Sequence, residues 1–553
     1  MSHPASPDPQ PARWAPALVL AVVAACYLPT LGAGFVWDDV PLVVQNQITG
    51  DLANLPRFFQ EDLWAATPGQ EGGTGYYRPL MLLSLAVDRA LFGLWPGGHH
   101  LHNLAWHLLG TAALMVLARP RLGAWGAVVA GLVFGLHPMQ SEAVIWVAAR
   151  NDPMATALGL WALERAMQAD AGRGRLAAAF GLTVLAGLAK ESVILLPGIL
   201  LALDLFERRR PTLRRYAPLV GGIAVVLALR IAVGVDGAGL PEPVGWRLLG
   251  RELHRAGGLL LTRAVLPWPL HNGVSLEWLP RLPVWRWAVG WGALAVALVA
   301  VAVRARRGDT RPAAGLAWFG LAVAPIVIPV ADKGLIGERY LYLAIAGLAW
   351  ALGAGAGRAR AAVFAGLAVP AVLAVQLRIP DWQDDVRLWE AAVAHHPTPH
   401  TWGGLGLVVL GEGRSAEAYG LFMRALDDPR PDPSVCAATL RAATRLGRAG
   451  LLAQTASWSA RRGCSGREFR GERGLAMALA GEWAVAEAIA AEPGPRAASG
   501  VVLDAVVATR SGDEAALAAA QADPAAPPDL SGRVESILSA PDRATLAPEG
   551  GPP

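Results

Sequence analysis

From residue 15 onward the hydrophobic pattern is one of long apolar runs, not of alternation or one-sided stripes. The runs lie at 15–33, 102–118, 123–137, 153–167, 176–189, 192–206, 216–234, 286–304, 312–330, 340–356 and 360–378. A helix needs about 20 apolar residues to cross a bilayer, so the pattern predicts eleven membrane-spanning helices, several of them short. The first run is long for a signal-peptide core and lacks a clear small-residue cleavage site, which makes it an uncleaved span. Residues 79–95 carry Asp88 and Arg89 in mid-run and read as an interfacial helix. Residues 254–270 are ambiguous and open to a re-entrant reading.

Polar loops between the runs fall into two alternating sets. One is rich in arginine: ARPRLG (118–123), ERAMQADAGRGR (164–175), ERRRPTLRR (207–215), RARRGDTR (304–311) and GRAR (357–360). The other has fewer Lys and Arg for its length. Basic loops stay in the cytoplasm, so the N-terminus is expected inside and everything after the eleventh span outside.

Beyond residue 381 the pattern changes to short amphipathic helices. Trp402, Leu405, Gly406, Ala418, Phe422, Ala425 and Pro431 approach the 34-residue tetratricopeptide pattern, with Val409 at its usual Tyr. Stretches 435–461 and 473–491 read as degenerate repeats that stack on this one. The expected organisation is a disordered tail 1–14, a transmembrane domain 15–380 with an outer loop 34–101, a helical tetratricopeptide-like domain 381–522, and a disordered Pro- and Ala-rich tail 523–553.

Composition agrees with the membrane class: 54% apolar and only 17% charged. The net charge of +4 is explained by cytoplasmic loops and does not call for nucleic acid. Abundant Ala and Gly suit close helix packing in lipid. Cys26 lies in the first run; Cys436 and Cys464 pair or stay free according to the compartment.

The less basic loops hold the candidate chemistry. FVWDDV places Asp38 and Asp39 directly after the first span. YYRPL carries Arg78, and HHLHNLAWH carries His102 and Asn103. HPMQSEAVIWVAARND carries His137, Glu142 and Arg150; AKES carries Lys190 and Glu191; GERYLYL carries Arg339 and Tyr340. Charges beside apolar runs are costly and point to function or to pairing; for Lys190 and Glu191 a mutual ion pair is the plain alternative. His99 and His100 are adjacent and cannot share a helix face, which argues against a histidine metal site.

These motifs, in this order and followed by a tetratricopeptide tail, resemble the TMTC-like family of transmembrane and tetratricopeptide-repeat O-mannosyltransferases and its bacterial relatives, over residues 15–435. The resemblance implies a GT-C glycosyltransferase fold in a bacterial inner membrane. It implies transfer of a sugar, mannose in the family, from a polyprenyl-phosphate carrier to a hydroxyl of an acceptor protein or glycan on the outer face. An acidic residue of the first outer loop is then the base, Asp38 or Asp39, with Asp38 preferred as the one nearer the bilayer. The carrier phosphate and substrate fall to Arg78, His102, His137, Glu142, Arg150, Lys190, Arg339 and Tyr340. No cofactor is implied, although Glu142 and the Asp pair leave a divalent metal open. The tetratricopeptide region offers a surface for a protein partner. A polytopic transporter and a non-catalytic assembly scaffold are the rival readings; neither explains why these charges gather on one side.

Overall fold

The computed structural model describes residues 10–65, 75–168, 172–235, 243–270, 273–427, 432–493 and 496–539. The chain divides into two compact units, Met1–Leu388 and Trp389–Pro553. The division falls eight residues later than the expected boundary at 380. Residues 381–388 stay with the first unit because they are tied to the loop after its first helix: Gly34 N–H donates to Gln383 O at 3.0 Å and Trp37 N–H to Asp385 Oδ1 at 2.6 Å.

The first unit is a mostly helical, multi-pass membrane protein. Among the described residues six helical segments are long and apolar enough to cross a bilayer: Ala15–Gly32, Pro96–Leu136, Leu213–Val233, Trp285–Arg306, Arg311–Asp332 and Arg358–Trp382. Other expected spans form shorter helices, such as Asn151–Met167 and Arg173–Ala189 with 17 residues each and Tyr342–Gly353 with 12. These six segments take in seven of the eleven expected runs, since Pro96–Leu136 contains both 102–118 and 123–137. Exposed side chains such as Val296 and Val299, 70% and 65% accessible, present the apolar surface that lipid solvates.

Pro96–Leu136 is not one rod. Gly123 sits at φ 80°, ψ 174°, outside helical space, and the two halves fold back on each other. His107 Nε2 meets Gly135 O at 3.0 Å, and a Cβ on Gly131 would lie 2.5 Å from Met115 Sδ. The segment is a helical hairpin that turns in the basic stretch 118–123, as the two separate apolar runs predict. Arg311–Val323 and Tyr342–Gly353 approach backbone to backbone: a Cβ on Gly315 would lie 2.6 Å from Gly347 O. Only small residues permit that contact.

Polar groups segregate to two ends of this helical body. At one end two contacts tie arginine-rich loops together, Arg121 to Glu207 at 3.1 Å and Arg311 Nη1 donating to Arg121 O at 3.4 Å, while Arg215 pairs with buried Asp204 at 2.6 Å and Arg311 with Asp309 at 2.7 Å. The less basic loops gather separately. A short antiparallel pairing of Val274–Ser275 with Leu335–Ile336 delivers the chain to Glu338 and Arg339.

The second unit is a series of helical hairpins. They open at Pro399, Pro433, Arg467 and Ala498, at spacings of 34, 34 and 31 residues. In the first hairpin Phe422 is fully buried, and a Cβ on Gly406 would lie 2.6 Å from its ring. Gly406 is required there to make room. Cys436 and Cys464 form a disulfide that staples the second hairpin. Two expectations change. A fourth hairpin follows the three anticipated ones, and the tail expected to be disordered from 523 carries a helix at Leu530–Leu538, whose Leu530 and Val534 pack against Val501 and Val506. Residues 10–14 form no regular helix. Residues 1–9 and 540–553 of the expected tails, and Pro431 of the repeat pattern, lie outside the described residues.

Candidate functional site

The loop after the first helix fixes its two carboxylates differently. Trp37 is held at φ 52°, left-handed space that a bulky residue seldom occupies and that costs about 1–3 kcal/mol unless the surroundings enforce it. Asp39 returns to right-handed helical geometry at φ −64°, ψ −35° and leads into a π-type turn, Val40–Val44. Asp39 is completely buried. Its Oδ1 accepts Ala148 N–H at 2.6 Å and its Oδ2 accepts Val36 N–H at 3.2 Å. Burial pushes its carboxyl well above the usual carboxylate range, against the pull of those two N–H groups. Asp39 thus staples the loop after the first helix to the loop that precedes Asn151. Asp38 is only half-buried. Leu42 N–H donates to Asp38 O at 3.0 Å, so Asp38 sits in the turn that opens this helical stretch.

Three of the expected cations do come together. Arg78 grips Glu191 with two donors, at 2.9 and 3.3 Å, and Arg230 reaches the same carboxylate at 3.8 Å. Lys190 pairs with Asp152 at 2.5 Å. Arg339 pairs with Glu142 and lies 4.9 Å over the Trp146 ring. Lys190 is within electrostatic reach of both Arg78 and Arg339; burial pulls its ammonium below the ordinary value while Asp152 holds it up. Tyr340 completes the set, its ring 5.2 Å from the Arg339 guanidinium. The Lys190–Glu191 pair considered from sequence does not form. Lys190 is extended at φ −160°, ψ 149° and Glu191 begins a tight 3-10 turn, so the two side chains diverge to different partners.

Other expected site residues are used within the scaffold. Arg150 is fully buried: Nη1 meets Asp88 Oδ2 at 2.5 Å, Nε donates to Asn103 Oδ1 at 2.6 Å, and Nη2 donates to His99 O at 2.9 Å. His102 Nδ1 meets the other oxygen of Asp88 at 2.6 Å. His137 receives Met139 N–H on Nδ1 at 3.2 Å and so donates from Nε2 to Ala264 O at 3.1 Å. Glu142 is also enclosed; its Oε2 accepts the N–H groups of Glu338 at 2.6 Å and Arg339 at 3.1 Å. It is a clamp for Arg339, not a group that faces an acceptor. Among the described residues no three His, Cys, Asp or Glu side chains stand together as a metal-holding group, and the oxygens of Asp39 and Glu142 are already engaged by N–H donors.

An aromatic stack joins the two parts of the site. The Trp37 ring lies on Trp146 at 4.8 Å with 10° between planes, and Arg339 covers Trp146. The segment that carries Asp38 is thus packed through Trp37 and Trp146 against Arg339. Asp88, Asp152 and Arg230 were not among the expected site residues. The signal for Asp88 was present, since an aspartate inside an apolar run must find a cation.

No family model matches the chain. Over 135 residues it is 33% identical to protein O-mannosyl-transferase TMTC3 of Mus musculus, covering 24% of this chain and 15% of the relative. The chain is distantly similar to the TMTC protein O-mannosyl-transferases. Identity is 37% over 128 residues with Tmtc2 of Drosophila melanogaster, covering 23% of this chain and 14% of that one. It is 28% over 208 residues with TMTC2 of Homo sapiens, covering 36% and 25%. The chain thus spans only about 15% of the length of the TMTC3 relative. Among solved structures, ArnT from Cupriavidus metallidurans bound to undecaprenyl phosphate aligns over 95% of this chain and 76% of its own, with 17% identity and a TM-score of 0.38.

Proposed function

We propose that the chain is a membrane glycosyltransferase of GT-C architecture, which moves a sugar from a polyprenyl-phosphate carrier to an acceptor hydroxyl on the outer face of the membrane. The observation that carries this reading is the charge balance of the half-open cluster. Arg78, Lys190, Arg230 and Arg339 are four cations, against the three carboxylates Glu191, Asp152 and Glu142. Within these ion pairs the set keeps one positive charge in surplus. A lipid phosphate needs such a surplus, and arginine offers it paired donors.

In the proposed reaction the acceptor oxygen bonds to the anomeric carbon as the bond from that carbon to the phosphate oxygen breaks. The acceptor proton passes to Asp38, the bonding electrons stay on the phosphate, and the anomeric configuration inverts. The leaving group is already an anion, so cations suffice and no general acid is required. A base in this role contributes about 10²–10⁴-fold. Mannose is the sugar that the TMTC likeness favours, with a protein or glycan as acceptor.

The same reading takes the chain to cross the membrane eleven times, with the N-terminus and arginine-rich loops in the cytoplasm and the second unit outside as a tetratricopeptide-like platform for a protein partner. The Cys436–Cys464 disulfide supports that side, since such bonds persist in oxidising compartments. Mass spectrometry of envelope glycans and glycoproteins, with and without this chain, tests the proposal. A hexose modification should vanish on deletion and return with the wild-type gene. An unchanged glycan profile contradicts it.

A further inference from the structure

We propose that Asp385 is a positioning residue: by accepting the backbone N–H of Trp37 it fixes the left-handed turn that aims the Asp38 carboxylate. The inference rests on the reading of Asp38 as the base. Asp385 lies 348 positions along the chain from Trp37, yet its Oδ1 receives that N–H at 2.6 Å. Its carboxylate is not needed by its own helix, Asp385–His395, because Asp384 Oδ1 accepts Arg387 N–H at 2.8 Å and closes the first turn. A second clamp lies close by, where Gly34 N–H donates to Gln383 O at 3.0 Å.

These contacts act where the backbone is least free to hold itself. Trp37 has φ 52°, and Arg208 is the other described residue besides glycine with a positive φ. A tryptophan stays there only if its surroundings over-determine it. Two of them do: the Asp385 carboxylate on its N–H, and Trp146 under its ring at 4.8 Å. On the far side Asp39 is pinned to Ala148 and Val36. Asp38 thus sits between two fixed points. If the Trp37 N–H is released, the peptide can relax toward an ordinary negative φ, and the next side chain to swing is Asp38. A displacement of about 1 Å at a reacting group costs roughly 10²-fold in rate.

The test uses the purified full-length chain in lipid discs, as wild type, Asp385→Ala and Asp385→Asn. The amide oxygen of Asn can accept the same N–H, whereas Ala cannot. Hydrogen exchange over residues 34–39 reads the clamp without any assay of activity: wild type and Asp385→Asn should protect the Trp37 amide, and Asp385→Ala should expose it. Transfer from a polyprenyl-phosphate mannose should show kcat for Asp385→Ala reduced roughly 10- to 100-fold, with KM for the carrier nearly unchanged because Arg78 and Lys190 are untouched. Asp385→Asn should restore kcat. Equal exchange in wild type and Asp385→Ala overturns the proposal, as does a loss of kcat that Asn fails to rescue. A wild-type chain that transfers no sugar overturns instead the reading of Asp38 as base, and the exchange result still decides whether Asp385 holds the turn.

Discussion

Two charged groups in the membrane unit look alike in sequence and differ in what surrounds them. Arg150 and Asp88 are 0% and 1% accessible, and protein atoms meet Nε, Nη1 and Nη2 of the guanidinium. Arg78, Lys190 and Arg339 keep 13%, 19% and 23% of their side chains accessible while paired to carboxylates. Both arrangements offset the cost of charge near an apolar interior. The enclosed pair has no capacity left for a ligand, so its role is to lock the helix Pro79–Phe92 and the helical hairpin Pro96–Leu136 to the loop before Asn151. The half-open cluster has neutralised most of its charge but still presents donors to an incoming anion. Accessibility of the cation, not its presence beside an apolar run, separates scaffold from site.

The contrast breaks most visibly at Arg150. Arg150→Ala strands the buried Asp88 carboxylate, and about 3–5 kcal/mol of stability should be lost. Unfolding of the purified protein in detergent should show it, together with poor recovery from membranes. Asp39→Asn should be milder. One of its two N–H donors would then face an amide NH2, which leaves a buried donor unmet at about 1–3 kcal/mol. Lys190→Gln lies at the small end for stability, about 1 kcal/mol, because Arg78 and Arg339 still act on Asp152. Its effect should appear in carrier binding, weakened about tenfold for one charge-assisted contact and read by titration with a polyprenyl phosphate. If Lys190→Gln destabilises the fold as much as Arg150→Ala while binding is unchanged, the two groups are not different in kind.

Much of this was legible in the sequence, and the failures have physical causes. Apolar runs located the helices, and the separate runs at 102–118 and 123–137 anticipated the turn at Gly123. The runs did not give crossing lengths, because a helix end depends on local caps and turns. The 3-10 turn Glu191–Leu195 and the tight Pro138–Gln140 turn each shorten a neighbouring helix. Partners were harder. Arg150 and Arg339 sit in equally charged loops, and only the fold reveals that Asp88 faces one and Glu142 the other. At 34-residue steps the later hairpins carry Cys436 and Arg470 in place of Trp402, and Ala456 and Ala490 in place of Phe422, and successive hairpins meet through small residues: a Cβ on Gly471 would lie 2.4 Å from Gly500 N. A motif written around large residues misses such a crossing. Asp38 and Asp39 read alike in the sequence, and only the fold shows that Asp39 is buried at the head of a π-type turn while Asp38 is half-buried.

The account turns on one carboxylate serving chemistry while its neighbour serves the fold. Turnover and thermal stability of Asp38→Asn and Asp39→Asn, measured side by side with a polyprenyl-phosphate mannose and an acceptor peptide or glycan, address that claim directly. Asp38→Asn should lose about 10²–10⁴-fold in turnover and keep wild-type stability and carrier binding; Asp39→Asn should lose stability first. If both variants transfer sugar at the wild-type rate, the carboxylates are loop charges and the mechanism is wrong.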